Sequence, residues 1–236
     1  MIDISFSGKT RRVGLVRVMT QEEQRLIDEQ GRLIERLFPA IKVTSKCIEN
    51  QPRGIYDAET ERIAEPKIVR VAKDLEREGG EAVIISCAAD PALGIAREEL
   101  RIPVIGTGSA TAAVAVSLGQ AIGVIGIGEG VPEPMAEILG DRLVSYEKIE
   151  GVQTALDLHL ESAKEQALQA VKNLVSRNRV EVVAFGCTGL STLDVDDPIQ
   201  REFGVYTVNP VIASGIQVLY ALMRKRVGGQ GEDHTE

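Results

Sequence analysis

The chain has 236 residues, 44 % of them apolar, and a net charge of −8, which suits a globular protein with a buried core. Acidic and basic residues are interleaved, with no basic stripe punctuated by aromatics, so neither nucleic acid nor an anionic membrane surface is an expected partner. No apolar run is long enough to span a bilayer, since the longest, Val114 to Gly128, is broken by Gly119, Gln120 and Gly123.

The first residues, Met1-Ile2-Asp3-Ile4, lack a basic stretch followed by an apolar core, so the expected location is cytoplasmic. Val13 to Met19 then reads as a buried strand, and Glu22 to Phe38 as a helix opened by a Thr20–Glu23 capping box. Ile41 to Lys46 reads as a strand, Glu59 to Glu78 as a helix and Ala82 to Ser86 as a third strand. This alternation continues to the C-terminal region and predicts an α/β fold, with parallel sheet covered by helices on both faces.

The chain also repeats its own half. Arg12-Val13-Gly14-Leu15-Val16 matches Ala121-Ile122-Gly123-Val124-Ile125. Glu81-Ala82-Val83-Ile84-Ile85-Ser86-Cys87 matches Glu181-Val182-Val183-Ala184-Phe185-Gly186-Cys187. Each cysteine precedes a polar loop with Asp-Pro (Asp90-Pro91, Asp197-Pro198), then a short strand and a small-residue helix, Ser109 to Leu118 and Pro210 to Met223. Two pseudo-twofold-related lobes follow, with the active site in the cleft between them. The first is 1–106 plus 210–226, the last helix packing back upon it. The second is 107–209, and the Gly-rich, charged 227–236 is expected to be a disordered tail.

Three cysteines and two histidines in a chain of this length make neither a disulfide framework nor a His-rich metal centre, so no metal is expected. Ligands of parallel sheets bind beyond the carboxyl ends of the strands, where Cys87 and Cys187 both fall. Across a pseudo-twofold axis the two thiols would face each other. One would remove a proton from a carbon while the other delivered a proton to its opposite face. The loop amides of Ala88, Ala89, Thr188 and Gly189 are candidates to favour the thiolates and to stabilise an enolate oxygen.

A lone cysteine at a strand end is usually a small buried hydrophobe, and Cys47, which has no counterpart, is read that way. Arg17 ends the first strand and is either a ligand for an anionic or imide oxygen or a lobe-bridging residue. Thr107 and Ser109 either hydrogen-bond a small polar ligand or cap the next helix. Asp90 reads as a helix N-cap with Pro91 at the first helical position. His159 is placed on a helix between Thr154 and Ser176, facing solvent. Tyr56-Asp57 lies in a loop able to cover the cleft. The Gly123–Gly130 run does not have the spacing of a dinucleotide-binding loop.

These segments resemble the aspartate/glutamate/hydantoin racemase superfamily, most closely its hydantoin racemase branch. Cys87-Ala88-Ala89-Asp90-Pro91-Ala92-Leu93 is similar to that branch's Cys-x-x-Asp-Pro-Gly-Leu, and Gly186-Cys187-Thr188-Gly189-Leu190 to its Gly-Cys-Ala-Gly-Met. Arg97-Glu98, Pro103-Val104-Ile105-Gly106 and Pro210-Val211-Ile212 also match, and the likeness runs over residues 12 to 224. Two places depart. Arg17-Val18-Met19-Thr20 stands where the branch has Asn-Pro-Asn, and Cys87-Ala88-Ala89 where the amino-acid racemases have Cys-Asn-Thr.

The resemblance implies a racemase without cofactor that acts on a small-molecule substrate, a 5-substituted hydantoin. An apolar, Val-rich surface would support a homo-oligomer. Rival expectations are an aspartate- or glutamate-type racemase, a single-cysteine decarboxylase or isomerase, and a non-catalytic two-lobe binder of small ligands.

Overall fold

The central strands are short runs of Val, Ile and Ala with no polar alternation, and they are covered on both faces. The computed structural model describes residues 10–223. The expected 227–236 tail and the last residues of the first-lobe segment lie outside that range.

The first half runs β1 (Arg11–Arg17), α1 (Gln24–Leu37), β2 (Ile41–Cys47), α2 (Ala58–Arg77), β3 (Ala82–Ser86), α3 (Leu93–Glu99), β4 (Val104–Gly106) and α4 (Thr107–Leu118). The second runs β5 (Ile122–Gly126), α5 (Glu133–Leu139), β6 (Leu143–Lys148), α6 (Ala163–Arg177), β7 (Val182–Phe185), α7 (Asp196–Phe203), β8 (Tyr206–Val208) and α8 (Pro210–Met223). Each half forms a four-stranded parallel sheet, in the orders β2-β1-β3-β4 and β6-β5-β7-β8. The registers correspond: Gly14 pairs with Val83, and Gly123 with Val183.

The repeated glycine has a packing cause. A Cβ on Gly14 would stand 2.8 Å from Leu75 Cβ, and one on Gly123 would stand 2.5 Å from Leu174 Cδ2. α2 and α6 therefore cross their strands at the same place and distance class, which only glycine permits. One apolar core cluster joins both sheets. It takes Leu15 and Ile84 from the first, Val124 and Ala184 from the second, and Ala112 and Val218 from α4 and α8. Two outer clusters lie under α2 and α6. α8 packs on α4, α1 and β3. Among the described residues no helix is long and apolar enough to cross a membrane.

Three local expectations are corrected. The capping box at Thr20 does not form: α1 starts at Gln24 behind Glu23, whose side chain caps nothing. The Thr20 hydroxyl instead donates to the Ile48 carbonyl (2.9 Å) and accepts from the Gln51 amide (2.8 Å), joining the exits of β1 and β2. A capping box does occur at α2, between Asp57 and Thr60. Asp90 does not cap its own helix, which starts behind Ala92. Its carboxylate accepts from the Gly108 and Ser109 amides, both at 2.7 Å, and from the Ser109 hydroxyl, so it caps α4 across the loop. His159 lies on a 3-10 turn, Asp157–His159, and α6 begins only at Ala163.

Candidate active site

Cys87 follows β3 directly, and Cys187 follows β7 after Gly186. Both thiols are half-buried, and both line one cavity of about 670 Å³ at the carboxyl ends of the two sheets. Strand direction explains the meeting: parallel strands put their carboxyl ends on one side, and the shared core holds the two sheets with those sides together.

A buried side chain sets the junction. Gln30, on α1, accepts from the Ser86 hydroxyl (2.5 Å) through Oε1 and donates to the Thr188 carbonyl (3.1 Å) through Nε2. The Thr188 hydroxyl donates to the Ser86 carbonyl at 3.4 Å. The residue before one cysteine and the residue after the other are thus tied directly and through Gln30. The signal for Gln30 was an amide on the buried stripe of an amphipathic helix, beside Gly31, Leu33 and Ile34.

Of the residues expected at the site, Arg17, Ala88, Ala89, Thr188 and Gly189 line the cavity with the two cysteines. Thr107 and Ser109 do not. Thr107 is buried, donating to the Ile85 carbonyl (2.6 Å) and touching the Ser214 hydroxyl (3.2 Å), and Ser109 is spent on Asp90. Their ligand role gives way to a structural one because both sit in the first turn of α4, where Thr107 faces β3 and α8 and Ser109 faces the loop behind Cys87. Cys47, half-buried, is not on the cavity wall.

His159 and Tyr56 do line the cavity, as do Glu29, Glu61 and Arg53, which sequence reasoning missed. Gly128 and Gly130 of the glycine run form another part of the wall. These contributions come from loops and from single turns of helices far apart in the chain, with no spacing to mark them.

The electrostatics differ between the thiols. Burial pushes Cys87 up to about 12; the Ala89 amide opposes this, while the neighbouring Cys187, Asp90 and Glu61 add to it. Burial also pushes Cys187 up, but the amides of Gly189 and Leu190 and the Arg17 guanidinium all act the other way. Burial draws Arg17 below its ordinary value, against the pull of Cys47, Glu29 and Cys187. The loop amides of Ala89 and Gly189 therefore serve the sulfurs.

Two cysteines at matching strand ends of a duplicated α/β scaffold, opening on one cavity, define a two-lobe α/β protein with its candidate site between the sheets. The family described as Asp/Glu/Hydantoin racemase matches residues 28–215, and the chain belongs to that family. It is 27 % identical over 168 residues to a hydantoin racemase of Pseudomonas sp. (strain NS671), a match covering 69 % of this chain and 66 % of the relative, about two thirds of its length. Among solved structures, the fold is shared with an allantoin racemase from Klebsiella pneumoniae (TM-score 0.77, 19 % identity, covering 94 % of this chain and 97 % of that one). It is also shared with a glutamate racemase from Thermus thermophilus (TM-score 0.63, 18 % identity, covering 91 % and 81 %).

Proposed function

We propose that this protein is a cofactor-independent racemase that inverts a carbon centre by passing protons between Cys87 and Cys187, with a 5-substituted hydantoin as substrate. The observation that carries this reading is the opening of both thiols, from equivalent strand ends, onto one cavity. In a hydantoin the proton at C5 is flanked by a ring carbonyl and an amide nitrogen. It is more acidic than the α-proton of a free amino-acid carboxylate. One thiolate takes that proton as the C–H electron pair moves onto the carbonyl oxygen. The opposite thiol then gives its proton to the other face of the carbon.

The charge of the cavity supports a neutral ring over a dicarboxylate amino acid. Of its cations, Lys148 pairs with Glu129 at 2.5 Å, Arg53 stands 4.6 Å over the Tyr56 ring, and Arg17 donates through Nη1 to helix carbonyls. Glu29, Asp57 and Glu61 add negative charge to the same walls. A ligand with two carboxylates would meet repulsion from these walls. The similarity to hydantoin racemases points the same way.

The test is polarimetry on single enantiomers of several 5-substituted hydantoins, with aspartate and glutamate beside them, run in D₂O. The hydantoins should lose rotation with deuterium entering at C5, and Cys87→Ser and Cys187→Ser should each slow racemisation by about 10²-fold or more. Undiminished racemisation in either variant, or a preference for the free amino acids, overturns the reading.

A further inference from the structure

α8 holds no charged residue over its whole length. Its inner side is spent on the fold. Val211, Ser214, Val218 and Leu222 are buried, and a Cβ on Gly215 would stand 2.4 Å from the Phe38 ring at the end of α1. Its outer side keeps large apolar groups in solvent: Ile216 is 45 % exposed, Tyr220 67 % and Met223 58 %, with Ile212 and Leu219 half-buried at their edge. Leu37, next to Phe38, is 46 % exposed and extends the patch onto α1, which packs on α8. None of these side chains lines the cavity.

The fold itself does not demand this face. The registers Val83–Val104 and Val183–Thr207 make α4 the counterpart of α8. Both helices carry a hydroxyl that donates one turn back, Thr111 to the Thr107 carbonyl and Ser214 to the Pro210 carbonyl. In that alignment Ser109, Ala113 and Ser117 of α4 stand where α8 has Ile212, Ile216 and Tyr220. One half of the repeat builds the scaffold with small or polar side chains at these positions, and the other half has large apolar ones.

We propose that this face of α8, with the end of α1, is the interface with a second copy of the chain in a twofold dimer. Ile212, Ile216, Leu219 and Met223 are spaced by four, three and four residues, the repeat along which two helices interlock. A seam without charge is complementary to itself, and a twofold axis sets Ile216 and Tyr220 of each copy against the same face of the other. The exposed parts of Leu37, Ile216, Tyr220 and Met223 amount to on the order of 400 Å², about half of the ~800 Å² that each partner gives to a stable interface. The side chains around them supply the rest.

The inner side of the same helix ties the two lobes. The Ser214 hydroxyl meets the Thr107 hydroxyl of α4 at 3.2 Å, and the Val211 amide donates to the Ser191 hydroxyl at 3.4 Å, in the turn after Cys187. A second copy on the outer side holds α8 between two supports, so the dimer braces the junction behind the cavity without entering it.

Sedimentation equilibrium of the full chain, from sub-micromolar to tens of micromolar, is the test. The protein should sediment at twice the chain mass. Tyr220→Glu should weaken association by ~30-fold or more, since one charge enters the seam from each copy, and Tyr220→Ala by ~5-fold or more. Ser117→Glu, at the matched place on α4, should leave the dimer unchanged. Circular dichroism checks that each variant is folded, and if Tyr220→Glu is not, Tyr220→Ala decides. A monomer at tens of micromolar overturns the inference, whatever else then covers the face. So does a dimer that Tyr220→Ala and a folded Tyr220→Glu leave undiminished, or one that Ser117→Glu weakens as strongly.

Discussion

Gln30 donates its side-chain amide to the carbonyl of Thr188, 158 residues away, across the junction of the two lobes. The same side chain accepts from Ser86, so one buried amide touches the residue before Cys87 and the residue after Cys187. A side chain in that position sets how far apart the two sulfurs stand.

Replacing Gln30 by Leu should therefore damage catalysis more than binding. Both bonds go, and the Ser86 hydroxyl and the Thr188 carbonyl lose a partner at the junction, costing about 1–3 kcal/mol of stability. The change in sulfur spacing should lower kcat by ~10-fold or more and change KM little. Gln30→Glu keeps the acceptor for Ser86 but, ionised, has no donor for Thr188, so it should lie between wild type and Gln30→Leu. Steady-state kinetics with urea unfolding separates the effects; an unchanged kcat in Gln30→Leu counts against the spacing role.

Gly108 tests the loop behind Cys87. A Cβ there would stand 2.0 Å from the Ala88 carbonyl oxygen and 2.8 Å from its carbon, and backbone cannot swing aside as a flexible side chain can. Gly108→Ala should cost about 1–3 kcal/mol and displace the amide that faces Cys87, reducing kcat with it. Gly94→Ala is the control, since a Cβ there meets nothing within 4 Å. It lies within α3, is not in the left-handed region, and should gain about 0.4–1 kcal/mol. Chemical denaturation of the two variants side by side is the measurement, and a Gly108→Ala protein as stable as wild type is the contrary outcome.

The pH dependence follows from the sign of the thiol shifts. Burial raises both thiols, Cys87 to about 12, so the thiolate is the minority form at neutral pH. Raising the pH populates the base while the partner thiol keeps its proton. kcat/KM should therefore climb steeply between pH 6 and 8, approaching tenfold per unit. A profile flat across that interval would mean that no thiol of raised pKa limits the reaction.

The duplicated Val/Ile strands ending in Cys87 and Cys187 were legible because they are local: a buried parallel strand is a continuous apolar run, and its end is marked by the polar loop that follows. α8 was read with its observed start at Pro210. Capping was less legible. Thr20 and Asp90 carry the right side chains at the right spacing for their own helices, yet each bonds to a distant segment, Ile48 and Gln51 in one case and the start of α4 in the other. A hydroxyl or carboxylate at a loop takes whichever donor or acceptor the packing brings nearest, and a spacing rule sees only the near candidates.

The order of amino acids was sufficient to establish a twice-built α/β scaffold and the placing of one cysteine at the matching strand end of each half, because apolar periodicity and repeated residues are properties of short segments. The walls of the cavity were settled by folding alone. Arg17 of β1, Glu61 of α2 and Gln30 of α1, set between Ser86 and Thr188, meet at that wall from elements far apart in the chain. The asymmetry of the two thiols is of this second kind, since the field at a buried sulfur is a sum over neighbours in space, whatever their separation along the chain.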